Sequence, residues 1–435
     1  MKKTKKTGLI FFPAFDWAIS PTHPEREERL LYTQDQVFEE GLLDFENIVE
    51  YKAGVASIDD INRIHICVPS AEKVITESHL ISAGGAITAA KKVMEGEVDN
   101  AFALVRPPGH HAMRVVHGAR GFCNINIEAI MVEYIRKKYG PKRIAIVDTD
   151  CHHGDGTEDI FWHDPNTLYI SIHQDGRTLY PGTGFPNEFG GPNALGCNIN
   201  IPLPPNTSEE GFLYTLDNLI LPILEDYKPD LIINSAGQDN HYSDPITNMN
   251  FTAQGYAVLN ERLAPDIAVL EGGYSIETAL PYVNVGIIMA MAGLDYSHVL
   301  EPDYNAATIK QSQEITEYIE NLTAAILNKW RLRDMARKDA SHNREFDQRT
   351  KTIYYDTDNI HEEQTESVRI CQDCGGLVTI DSMATTPNRI FAVIVPGQSC
   401  PACRKRGEEI FDSTSKSAYG YVYFQDRDRD IYLVK

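Results

Sequence analysis

No run of apolar residues in this chain reaches the roughly 18–20 that a membrane-crossing helix needs. A protein built on membrane-spanning helices is therefore excluded. Positive charge is also scarce: 40 Lys and Arg stand against 62 Asp and Glu, a formal net charge of −22. That balance argues against nucleic acid as a partner of the protein body and would instead concentrate cationic molecules around it. Internal repeats and long low-complexity tracts are missing. A secretory leader is not expected either, because the apolar run after the basic tip of "MKKTKKTGLIFFPAFDW" is short, broken by Pro13 and soon followed by Asp16. Of the eight cysteines, Cys67, Cys123, Cys151 and Cys197 are scattered singly. Nothing in that usage demands an oxidising compartment, and a cytoplasmic setting is expected.

What is present is a rhythm. "AFALVRPPGHH", "RIAIVDTD", "TLYISIHQD", "GCNINIPLP", "DLIINSAGQD" and "DIAVLEGGY" each read as a buried strand ending in polar or Gly-rich loop chemistry. Helical patterns such as "SAGGAITAAKKVMEG" and "IEAIMVEYIRKKYG" lie between them. Strands alternating with helices predict an α/β fold with a mainly parallel sheet flanked by helices. Ligands of such sheets bind beyond the carboxyl ends of the strands, where these polar clusters fall. The spacing predicts one large domain over 1–340, a charged linker over 341–368 with little apolar periodicity, and a small β-rich module over 369–435.

Three groups of residues could carry chemistry. In extended chain Asp148, Asp150 and His152 share one side, and Asp-X-His offers two ligands to a divalent metal in one bite. Hydrogen-bonded turn residues satisfy the same spacing. Asp239, at the end of another strand, is the candidate third ligand, leaving an open position of the kind a catalytic zinc keeps. His110 and His111 follow Pro-Pro-Gly as a tandem pair, with Asp148 and Asp155 available to orient them, and Tyr274 stands beside two glycines. A packed core histidine or tyrosine is the plainer reading of each alone. Cys371, Cys374, Cys400 and Cys403 form two Cys-X-X-Cys knuckles, the spacing of a structural Cys₄ zinc site, with a redox pair as the alternative.

Together, "RPPGHHA", "GFCNIN", "DTDCHHGDGT", "SIHQD", "YPGTG", "SAGQDNHYSDP" and "LEGGY" resemble, in their order, the zinc-dependent histone deacetylases and acetylpolyamine amidohydrolases. "HPEREERL" and "LEGGY" are similar to the class II and bacterial branch. The resemblance runs from about residue 8 to about 325. It implies an arginase/deacetylase-type fold and a hydrolase that removes an acyl group from an amine. It implies Asp150, His152 and Asp239 as ligands of a catalytic Zn²⁺, and His110 and His111 as general base and acid oriented by Asp148 and Asp155. It further implies Tyr274 as oxyanion donor and a K⁺ site at Asp148 and Ser171 with the carbonyls of Asp150 and His152. Gly121, Phe122, Tyr180, Ile246 and Gly272 are implied as the substrate-binding walls. Tyr180 stands where the family usually has phenylalanine, Gln238 precedes the third ligand in place of an apolar residue, and Ser275 replaces an asparagine. Polyamine-selective relatives carry an acidic residue where Ile246 stands, which tilts the expected substrate from an acetylated polyamine towards acyl-lysine in a protein or peptide. An arginase-like dimanganese enzyme would need further aspartates near Asp150 and Asp239. An idle acyl-lysine-binding scaffold is the non-enzyme alternative, and a homo-oligomer is left open.

Overall fold

The computed structural model describes residues 4–435 except 141, 303, 308, 341–344 and 387–388, and leaves aside the side chains of 338–340. Eight strands form one parallel sheet: β1 (Thr7–Phe12), β2 (Ile48–Lys52), β3 (Asn100–Val105), β4 (Ile144–Asp148), β5 (Thr167–Gln174), β6 (Asn198–Leu203), β7 (Leu231–Ala236) and β8 (Ile267–Leu270). Their order is β2-β1-β3-β8-β7-β4-β5-β6. The central strands are buried on both faces, which is why they read as continuous apolar runs. Alternation survives inside them. Phe102 and Leu104 join the core beneath the helices Ala253–Leu263, Leu280–Ala292 and Gln313–Arg331, whereas Ala101, Ala103 and Val105 join the core beneath Glu77–Met94 and Ile127–Tyr139. This is the expected α/β architecture, a large parallel sheet flanked by helices.

β3, β8, β7 and β4 are consecutive neighbours at the middle of the sheet, although they are far apart in the chain. Four loops therefore leave one patch of the carboxyl edge. The loop after β3 carries His110 and His111, that after β8 carries Gly272 and Tyr274, that after β7 carries Asp239, and that after β4 carries Asp150 to Asp155. Among the described residues, no helix is long and apolar enough to cross a membrane.

The chain ends in a second sheet of six strands, β9 (Phe346–Tyr355), β10 (Ile360–Arg369), β11 (Val378–Ala384), β12 (Arg389–Val395), β13 (Tyr421–Asp426) and β14 (Ile431–Val434), in sequential order. One face, with Val368, Ile380, Ile390 and Tyr423, packs on Ile66, Val68 and Val115 of the first body. The other is covered by the helix Pro401–Ser413 through Cys403 and Phe411.

The structure corrects the reading of 341–368 as a linker. Its described part is the β9–β10 hairpin, paired over its whole length from Phe346↔Arg369 to Tyr355↔Ile360. Burial alternates along β10, but the residues turned inward are Glu362, Gln364, Glu366 and Val368. Polar side chains on the inner face concealed the two-residue period. Their burial is sustained by partners: Glu366 takes the His163 ring (2.8 Å) and the Arg349 Nε–H (2.6 Å), with Arg114 at 3.5 Å. Glu362 accepts from the Tyr355 hydroxyl (2.7 Å).

Candidate active site

Asp150, His152 and Asp239 meet although 87 residues separate His152 from Asp239 in sequence. One ligand atom from each lies within 4.8 Å of the others. His152 Nδ1 is 3.2 Å from Asp150 Oδ1 and 2.8 Å from Asp239 Oδ2. Both carboxylates are fully buried. The Gly272 N–H donates to Asp150 Oδ2 (2.6 Å) and the Cys151 N–H to Asp239 Oδ1 (2.7 Å). Glycine is required at 272, because a Cβ there would stand 2.4 Å from Asp239 Oδ2 and 2.6 Å from Asp150 Oδ2. Burial and then the charge of Asp150 push the Asp239 pKa up. Burial would depress His152, but the Asp239 and Asp150 carboxylates overcome it and lift that ring to about 10. Two buried carboxylates around one imidazole thus hold a proton where a divalent cation fits, and the donor set suits Zn²⁺ with an open position.

The tandem histidines stand beside this cluster, their ring centroids 4.2 Å apart. His110 Nδ1 is 3.1 Å from Asp148 Oδ2, and His111 Nδ1 is 2.8 Å from Asp155 Oδ1. Burial opposes charge on His110, but Asp150 and Asp148 outweigh it and its pKa is raised well above the ordinary value. Burial, reinforced by the His110 charge, lowers His111 to about 3. Asp148 also accepts from the Tyr169 hydroxyl (2.8 Å) and lies in register with Ser171 on β5, whose hydroxyl pairs with His173 Nδ1 (2.8 Å). His153, without an assigned task, is a packed neighbour held by Thr183 (2.8 Å) and Glu158 (3.2 Å).

A cavity of about 270 Å³ opens over these groups, lined by His110, His111, His152, Gly121, Phe122, Tyr180, Ile246, Gly272 and Tyr274, together with Pro108, Leu179 and Asp356. Gly121 has φ +52°, and a Cβ there would strike His111 Cδ2 at 2.3 Å. The Phe122 ring meets Tyr274 edge-on at 5.4 Å, and Tyr180 meets His111 edge-on at 5.2 Å. Among the described residues the Tyr274 hydroxyl has no hydrogen-bond partner, and burial raises its pKa well above the ordinary phenol value. A larger and more polar cavity, about 380 Å³, lies beside Cys371 and Cys374. It holds none of the histidine pair or the Asp150 cluster, so the smaller cavity is the candidate active site.

Several supporting residues escaped the sequence reading. Arg120 pairs with Asp155 (2.7 Å) behind His111. Glu271 accepts from the backbone of Gly109 (2.8 Å) and His110 (3.0 Å). Fully buried Glu25 binds both Arg29 (2.8 Å) and Arg106 (2.7 Å), and Arg29 holds the loop of Tyr274 through the Gly273 carbonyl (2.8 Å). "HPEREERL" and "LEGGY" contain Glu25, Arg29 and Glu271, but only the folded chain joins them. Asp356 carries no local signal.

The four Sγ atoms of Cys371, Cys374, Cys400 and Cys403 also lie within 4.8 Å of one another, two from the loop after β10 and two from the start of the helix Pro401–Ser413. N–H donors suited to thiolates point at them: Gly376 at Cys374 (3.4 Å), Cys403 at Cys400 (3.5 Å) and the Arg369 guanidinium at Cys403 (3.0 Å). The cluster is compatible with a zinc ribbon and could hold Zn²⁺.

Comparison with known proteins bears on this geometry. A model of the histone deacetylase domain matches residues 68–285. A probable deacetylase of Archaeoglobus fulgidus is 43% identical over 377 residues, covering 80% of this chain and 98% of that protein. A histone deacetylase-like amidohydrolase of Pseudomonas aeruginosa is 34% identical over 223 residues, covering 49% of this chain and 58% of that protein. Among solved structures, the HDA15 HD domain superposes with a TM-score of 0.65 at 25% identity, covering 79% of this chain and all of that one.

Proposed function

The chain belongs to the histone deacetylase family of amide hydrolases, and from that premise we propose that it is a zinc-dependent deacylase of lysine side chains in proteins or peptides. The supporting observation is convergence on one cavity of the Asp150–His152–Asp239 cluster, two His–Asp pairs and the unpartnered Tyr274 hydroxyl.

A Zn²⁺ held by Asp150, His152 and Asp239 would polarise the acyl carbonyl and acidify the attacking water. The chain supplies the rest. The base and acid are then the reverse of the order the resemblance implies: burial keeps His111 neutral at pH 7, and with Nδ1–H given to Asp155 its Nε2 is a free acceptor for the proton of that water. The His110–His111 pair then returns a proton to the departing amine, with Asp148 and Asp155 fixing ring orientation. Tyr274, kept protonated by burial, donates to the developing oxyanion. Phe122, Tyr180 and Leu179 form an apolar sleeve suited to a lysine alkyl chain. Asp148 and Ser171 are where a K⁺ would bind beneath the site, and Cys371, Cys374, Cys400 and Cys403 where a structural Zn²⁺ would.

Purified protein should hydrolyse a fluorogenic acetyl-lysine peptide, and a hydroxamate should block it. No turnover with zinc confirmed bound refutes the proposal.

A further inference from the structure

One wall of the catalytic cavity comes from the C-terminal sheet. Asp356, at the tip of the β9–β10 hairpin and outside the matched residues 68–285, lines the cavity alongside Ile246 and Tyr180. Its Oδ1 accepts from the Gly121 N–H (2.9 Å) and the Tyr180 hydroxyl (3.1 Å). Asp358 accepts from the Ala119 N–H (2.6 Å), and Arg120 Nε donates to the Tyr354 carbonyl (3.1 Å). The tip is thus clamped against the substrate walls.

Asp356 is half-buried, and among the described residues no cation forms an ion pair with it. Arg120, which lies over the Tyr180 ring at 5.4 Å, is committed to Asp155. His23 feels the Asp356 charge, but burial lowers its pKa, so this ring is mostly neutral at pH 7. The apolar part of the cavity lining is Pro108, Phe122, Leu179, Tyr180 and Ile246. A fixed, unneutralised carboxylate among apolar walls attracts a cation more strongly than one in open solvent.

We propose that Asp356 is a specificity-determining residue, and that the preferred substrate is an acylated amine bearing a second positive charge near the acylated nitrogen. The inference rests on the amide-hydrolase reading of the site and concerns the charge of its substrate rather than whether that substrate is a peptide. Two sources share this chemistry: an acylated polyamine, and an acyl-lysine beside a basic residue.

The test compares wild type with D356N, which keeps an acceptor for Gly121 and Tyr180, and with D356E, which keeps the charge. Substrates are N-acetylputrescine and two acetyl-lysine peptides that differ only in a basic or neutral neighbour. In D356N the kcat/KM ratio of at least one cationic substrate to the neutral peptide should fall about five- to tenfold, through KM, as expected for losing one partly desolvated ion pair. D356E should restore it. The cationic substrate that responds identifies the source. An unchanged ratio overturns the proposal, as does a fall that D356E fails to restore. Binding of two hydroxamates of equal length, one ending in an ammonium and one in a hydroxyl, provides a readout independent of turnover. Wild type should prefer the ammonium and D356N should not. Ammonium preference without amide turnover refutes the deacylase reading alone, whereas turnover without that preference refutes the role of Asp356.

Discussion

Replacing Tyr274 with phenylalanine isolates one oxygen atom. The ring is 7% exposed, meets Phe122 edge-on at 5.4 Å and carries the Arg29 guanidinium 4.7 Å from its centroid. None of these contacts needs the hydroxyl, and the loop is held by backbone, with the Tyr274 N–H donating to Asp244 (2.7 Å). The change should therefore alter folding stability by no more than about 0.5 kcal/mol and leave the metal content intact. In the transition state the same oxygen is one preorganised donor to the oxyanion, worth about 2.7–4 kcal/mol, or a factor of 10²–10³ in kcat. KM should move little, because the oxyanion is not yet formed in the bound substrate. The phenol pKa is raised well above its ordinary value, so the loss should be constant from pH 6 to 9. The assay is kcat and KM on an acetyl-lysine peptide, with zinc measured by atomic spectroscopy and a thermal melt of each protein. A rise in KM at unchanged kcat, or full retention of activity, would refute the donor role. A loss of activity accompanied by a lower melting temperature would point instead to the packing of the ring.

Serine at both Cys371 and Cys374 should lower bound zinc by one ion per chain by atomic spectroscopy; an unchanged count refutes a Cys₄ site. His65 accepts the Asn126 N–H at Nε2 (2.9 Å) and sits 2.8 Å from the Met113 carbonyl at Nδ1, a pairing that suits the neutral ring, and burial lowers its pKa to about 4. The unfolded chain binds that proton near pH 6.5, so this contribution to stability is complete above pH 6.5 and lost as pH falls towards 4, by about 2 kcal/mol at pH 5. Urea unfolding at pH 7 and 5 should show that loss, and H65Q should reduce the difference; an equal loss of stability between the two pH values in both proteins contradicts it. Glu366 neutralises Arg349, Lys351 and Arg114 at the junction of the two sheets. Arg349 and Lys351 also pair with Asp159, so E366Q removes one of two shared carboxylates and should cost about 1–3 kcal/mol. Calorimetry should then show the C-terminal sheet melting first, and an unchanged single transition counts against the network.

The parallel sheet could be read from the chain because its strands are buried on both faces and each records this locally as an apolar run. Six of the eight strands follow from such runs, and β1 from the run after the lysine-rich tip. The edge strand β2, "IVEYK", with its solvent-facing glutamate and lysine, carries no such mark. The C-terminal hairpin was invisible for the opposite reason. Glu362, Gln364 and Glu366 face inward, and what makes that tolerable, Arg114 and His163, lies more than 200 residues away.

The same division runs through the site. Asp150 with His152, and Cys371 with Cys374, are ligand pairs set by chain spacing alone, because a step of two or three residues along the backbone is enough to aim both side chains at one point. By itself the sequence therefore determined which residue types could bind metal and that they stand at strand ends. Which of them meet was decided by the order β3-β8-β7-β4, which places Asp239 against His152 and Tyr274 beside the tandem histidines. Asp356 belongs wholly to the tertiary structure. A lone aspartate in a hairpin turn is ordinary turn chemistry, and it becomes part of a substrate pocket only because the second sheet docks where its tip meets Gly121 and Tyr180.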